Sequence, residues 1–144
     1  MNWITVLAGA FAGAAIATQA AFNATLSRAV GLWPTSFLVH VVGMVAALLP
    51  LWLFRSQSQW QGWNAAPWYV YLGGVLGVLI IYSISHVVTQ IGVSAGVSIV
   101  IAAQLVLAML IDQFGWFGIP AKPFDWIKLL GVLFLFLGAR LVLR

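Results

Sequence analysis

Residues 93–112 read VSAGVSIVIAAQLVLAMLID. From Val93 to Ile111 no side chain carries a formal charge, and the run is close to the roughly 20 apolar residues that a helix needs to cross the hydrocarbon core of a bilayer. Asp112 ends it. Working outward in both directions, the pattern recurs and predicts an all-α integral membrane protein. Its five spans cover about residues 4–26 (ended by Arg28), 34–54 (ended by Arg55), 68–88, 93–111 and 126–143. The fifth is short, and Lys128 must snorkel near its start. The 144 residues are expected to make a single five-helix domain, with the two termini on opposite sides.

Composition supports this. Apolar residues make up 64% of the chain and charged residues 6%, against about 25% charged in a soluble domain. The formal charge of +4 is too small and too scattered for a nucleic-acid surface. The N-terminus has no basic n-region before its apolar run, so an uncleaved membrane protein is expected. There is no cysteine, which excludes disulfides and Cys-based metal sites. No cofactor, metal-ligand cluster, nucleophile–base pair or phosphate-binding glycine loop is legible, so no enzyme is expected.

The tryptophans test the segmentation independently. Trp3, Trp33, Trp52, Trp60, Trp63, Trp68, Trp116 and Trp126 all fall at a span end or in a link, as in the aromatic belts of membrane interfaces. Pro34 and Pro67 sit at first-turn positions, whereas Pro50 lies inside span 2 and should kink it. The link at Thr89–Gly92 is short enough for a tight antiparallel hairpin. The aromatic and proline-rich stretch Gln113–Phe124 should lie along the interface.

Within the spans, small residues offer close helix packing. Gly9 and Gly13 stand four apart, followed on the same stripe by Ala17 and Ala21; span 3 has Gly73, Gly74 and Gly77, and span 5 has Gly131 and Gly138. Such a stripe either packs helices or lines a moving cavity. The polar residues are few. Gln19 and Asn23 lie one turn apart on one face of span 1, and their amides must face protein or water because an unpaired amide is costly in hydrocarbon. They serve either as glue between helices or as ligand contacts. His40 in span 2 is either a structural donor or a proton carrier. Ser94 and Ser98 can bond to their own helix backbone, while Gln104 needs a partner. Asp125 is explained as an N-cap. Asp112 at a helix C-terminus opposes the macrodipole, and so calls for an Arg or a backbone N–H in the next loop, or else for a coupling role. No span carries a carboxylate at its centre, which favours neutral or mildly polar substrates over lipophilic cations.

The order of these fragments resembles the small five-span YdcZ-like branch of the drug/metabolite transporter superfamily. The resemblance rests on Gln19-Ala-Ala-Phe-Asn23-Ala-Thr-Leu26 and Gly31, on Gly43, on Pro67-Trp68 with Gly73, Gly74 and Gly77, on Ala103-Gln104-Leu105, on Leu110-Ile-Asp112-Gln-Phe-Gly115 with Gly118 and Pro120, and on Gly131 and Gly138. It covers nearly the whole chain. Ala103 before Gln104, Thr89 and Gln90 in the turn, and His40 depart from the pattern. The resemblance implies a bundle equivalent to one half of a ten-span metabolite transporter, working as an antiparallel homodimer, an antiparallel heterodimer of paired genes, or a fused tandem.

The charges bear on that pairing. Arg55, Lys122 and Lys128 fall on one side of the implied membrane, and Arg28, Arg140 and Arg144 on the other. With so little bias under the positive-inside rule, the chain is expected to insert both ways up. The resulting expectation is a dual-topology transporter subunit of the bacterial inner membrane, paired with an oppositely oriented copy. Gln19, Asn23, His40 and Gln104 would bind a small-molecule substrate that is uncharged or mildly polar. The alternatives are a proton-coupled small multidrug or cation exporter, or a non-transporting membrane scaffold.

Overall fold

A computed structural model describes residues 2–57, 60–123 and 125–142. Every regular element among them is helical. In chain order they are α1 (Trp3–Val30), α2 (Leu32–Leu53), α3 (Gly73–Ile91), α4 (Val93–Phe114) and α5 (Trp126–Val142), with short 3-10 segments at Arg55–Gln57, Trp60–Ala65, Trp68–Leu72 and Trp116–Gly118. Among the described residues, four stretches are long and apolar enough to cross a membrane: Trp3–Val30, Leu32–Leu53, Trp68–Ile91 and Val93–Phe114. The fifth helix has 17 described residues. The expected end of span 5 at Leu143, and Arg144 in the charge balance, lie outside the described residues.

α1, α3 and α4 run past the C-terminal ends expected for their spans, whereas α3 begins at Gly73, after a 3-10 stretch in place of the expected start at Trp68. Asn2 caps α1, its Oδ1 accepting the Ile4 N–H at 3.1 Å, and the helix continues past Leu26 through Ser27 and Arg28 to Val30. Gly31 ends it at φ 90°, a region open to glycine, and α2 starts at once. Pro34 lies in the first turn of α2, where its missing N–H costs no intrahelical bond. Pro50 is accommodated within the last turn of α2. The expected four-residue turn before span 4 shrinks to Gly92 alone, at φ 84°. Tryptophans mark the ends: Trp3 and Trp126 are the first residues of α1 and α5.

The chain forms two compact units, residues 1–89 and 90–144. In the first, α1 packs on α2, and α2 meets α3 along an antiparallel seam. Trp33 lies against Tyr82 with ring centroids 4.5 Å apart, and the Ser36 hydroxyl donates to the Val78 carbonyl at 3.4 Å. The covered stripe of α1 is Ala20, Asn23, Ala24 and Ser27, the i, i+3, i+4 spacing of one helix face. Thr35 and Ser36 of α2 and Ser85 of α3 are fully enclosed. In the second unit α4 packs on α5 around Ala102 and Val132. Large apolar side chains such as Phe37, Leu49 and Leu107 stand outward, as a lipid-facing surface requires.

The link after α4 is built by glycine. Gly115 adopts φ 64°, and a Cβ there would meet the Ile119 carbonyl at 3.1 Å and the Ala121 methyl at 3.2 Å. The chain then folds back, so that the Lys122 N–H donates to the Asp112 carbonyl at 2.7 Å.

Candidate functional site

α1 and α2 leave a groove of about 700 Å³ between them. Its walls are aromatic and aliphatic, with Phe11 and Phe22 from α1 facing Leu38 and Val42 from α2. Thr18, Gln19 and Asn23 supply its polar atoms. The Thr18 hydroxyl is committed to the Ala14 carbonyl at 2.9 Å. The two amides make no hydrogen bond with any described residue, although Asn23 is only 5% exposed. Each amide keeps a donor and an acceptor for a ligand, and no charged side chain lines the groove.

Gln19 also borders a neighbouring pocket of about 400 Å³ with Val39, His40, Gly43, Met44 and Ile81. His40 Nδ1 lies 2.7 Å from the Ser36 carbonyl one turn back. A carbonyl only accepts, so Nδ1–H is the donor in this contact. The Nε2 edge rests on α3 so closely that a Cβ at Gly77 would stand 2.9 Å from Nε2. The first unit therefore brings Gln19, Asn23 and His40 round two adjoining pockets. Gln104 lies exposed on α4 in the second unit, with no hydrogen bond to a described residue.

The remaining candidates divide cleanly. Ser98 donates to the Ser94 carbonyl at 2.8 Å, a bond within the helix backbone. Asp125 accepts the Ile127 N–H at 2.9 Å as the N-cap of α5. Asp112 does find a partner in the following loop, but it is a lysine in place of the arginine or backbone N–H expected for its carboxylate: Lys122 Nζ lies 3.2 Å from Oδ2. Among the glycines, Gly77 makes the close approach to His40. A Cβ at Gly9, Gly13, Gly73, Gly131 or Gly138 would meet no described neighbour within 4 Å. The sequence reading passed over Thr35, Ser36 and Ser85, the most enclosed polar side chains of the first unit. Their only signal was a hydroxyl pair just after Pro34 and a serine between isoleucine and histidine in span 3.

Helices long and apolar enough to cross a membrane, two of them flanking a groove whose amides bond to no described residue, are features of a membrane transporter. The model of the family described as "Putative inner membrane exporter, YdcZ" matches residues 4–141, and the chain belongs to that family. It is accordingly a multi-pass protein of the inner membrane. No curated protein and no solved structure matches it.

Proposed function

We propose that this chain is a dual-topology subunit of a secondary transporter, which pairs with an oppositely oriented copy and moves a small uncharged or mildly polar metabolite by alternating access. The observation that carries the substrate class is the pair of unpartnered amides, Gln19 and Asn23, in a groove without a charged residue. An unpaired amide facing hydrocarbon is costly, so these positions favour a ligand that both donates and accepts. The groove walls supply apolar burial. His40 contributes at the edge of the site. Both carboxylates lie at helix ends, Asp112 paired to Lys122 and Asp125 capping α5, which speaks against a proton-coupled cation exporter built on a buried acid. The near-even distribution of bases supports pairing with an inverted copy, the arrangement from which many transporters derive their two access states. In that assembly α5 completes a fifth crossing.

The test is thermal stabilisation of the purified protein by a panel of neutral metabolites, followed by uptake of the best into proteoliposomes. Gln19→Leu and Asn23→Leu should each weaken binding about tenfold or more, the loss expected for one buried polar contact, while leaving the apo melting temperature near that of the parent. Stabilisation by charged solutes alone, or full retention of binding in both variants, would overturn the assignment of the groove.

A further inference from the structure

The transport reading leaves unused a pocket of about 330 Å³ between the C-terminal end of α4 and the start of α5. Both carboxylates of the chain line it, Asp112 and Asp125, together with Lys122 and Lys128. Their formal charges cancel. Each acid spends one oxygen inside the protein: Asp112 Oδ2 faces Lys122 Nζ at 3.2 Å, and Asp125 Oδ1 accepts the Ile127 N–H at 2.9 Å. The other oxygen of each meets no described donor, and Lys128 forms no ion pair with a described residue. A carboxylate can accept about four hydrogen bonds and an ammonium can donate three, so acidic and basic capacity both remain open in one small space.

The base of the same pocket is apolar, formed by Leu105, Met109 and Val132. Gly131 leaves room beside them, since a Cβ there would meet nothing within 4 Å. Through Leu135 the pocket adjoins a further space of about 200 Å³ lower between the same helices, bounded by Ile101, Phe134 and Gly138. The charged mouth thus adjoins a mostly apolar space, which Ser98 also lines. Trp116 and Trp126 lie within the same stretch of sequence as the mouth residues, as side chains of a membrane interface do.

We infer that this pocket binds a zwitterionic phospholipid bearing a primary ammonium. The ammonium sits between Asp112 and Asp125, the phosphate meets Lys128, and an acyl chain runs past Leu135 into the adjoining space. An anionic headgroup without an amine would leave both acids unmatched. A trimethylated headgroup has no N–H to donate to them. The same ammonium–phosphate chemistry occurs in soluble glycerophosphoethanolamine, but that compound would leave the apolar base unfilled.

The experiment is native mass spectrometry of the delipidated, intact protein titrated with phosphatidylethanolamine, phosphatidylcholine and phosphatidylglycerol of identical acyl chains, and with glycerophosphoethanolamine. Phosphatidylethanolamine should bind about tenfold more tightly than either other lipid, the difference expected for charge-assisted bonds gained or lost. Lys128→Gln and Gly131→Phe should each remove that preference, the first by deleting the phosphate partner and the second by filling the pocket without touching a charge. Either variant alone suffices if the other does not fold. Equal binding of the three lipids, or an undiminished preference in both variants, would overturn the site. Binding of the soluble compound as tight as that of the lipid would overturn the assignment of a lipid as its occupant.

Discussion

His40 is held from two directions. Its Nδ1–H is tied to the Ser36 carbonyl at 2.7 Å, and its Nε2 edge would lie 2.9 Å from a Cβ at Gly77. A methyl added at position 77 must therefore displace an already anchored ring. Gly77→Ala should cost about 1–3 kcal/mol of stability, as overpacking of a filled interior does. His40→Ala in the same background should recover most of it. A double-mutant cycle by thermal unfolding in detergent reads the coupling, and additive effects would contradict the contact. Ser85 predicts the opposite sign. Its Oγ is fully enclosed without a described partner, so Ser85→Ala should leave stability unchanged or raise it by about 1 kcal/mol. A clear loss of stability in the same assay would mean that the hydroxyl has a partner. Gln19 and Asn23 were legible in the sequence because an amide inside an apolar run has few acceptable surroundings. The clamp on His40 was not, because the residue facing Nε2 lies on another helix and is a glycine, which carries no chemical signal of its own. Thr35, Ser36 and Ser85 escaped notice because a hydroxyl can satisfy itself on its own helix, as Thr35 does on the Gly31 carbonyl at 2.8 Å.

At the scale of elements, apolar runs announced where helices lie but understated where they stop. Helical hydrogen bonding continues through Ser27 and Arg28 at the end of α1 and through Gln113 and Phe114 at the end of α4, because a headgroup region tolerates polar side chains on a helix as readily as on a loop. The stops are made by Gly31, Gly92 and Gly115, all with positive φ. Their role is conformational, and hydropathy alone does not register it. Gly115 is doubly constrained, by φ 64° and by the nearby Ile119 carbonyl and Ala121 methyl. Gly115→Ala should therefore destabilise the return of the chain to Asp112 by about 1–3 kcal/mol. Lys122→Ala should cost at most about 1 kcal/mol, because the ion pair is well exposed and the Lys122 backbone bond to Asp112 survives the change. Limited proteolysis of the link between α4 and α5 separates the two: cutting should accelerate in the glycine variant and change little in the lysine variant. Equal acceleration in both would mean that the side-chain pair, and not the backbone turn, holds this segment.

For the whole molecule, the five helices and their order followed from where charges and tryptophans interrupt hydrophobic sequence, whereas the proposed pairing between copies rests on charge balance and on the family resemblance. If both orientations are inserted, the balance should be easy to tip. Asn64→Lys with Ala66→Lys loads the link between α2 and α3, and Ala29→Lys with Gln90→Lys loads the opposite ends of α1 and α3. All four positions are exposed. The parent has no cysteine, so a single one placed at Ala121 and probed with an impermeant thiol reagent reports orientation directly. Labelling should be partial in the parent and should shift in opposite directions in the two lysine variants. Carrying different affinity tags, the oppositely biased variants should co-purify when expressed together, because each supplies the inverted partner that the other lacks. Two copies biased the same way should not. A parent labelled wholly from one side would end the homodimer proposal and direct the search to a separate, oppositely oriented partner. Co-purification of like-biased copies would point instead to a parallel assembly, which lacks the inverted symmetry needed for two equivalent access states.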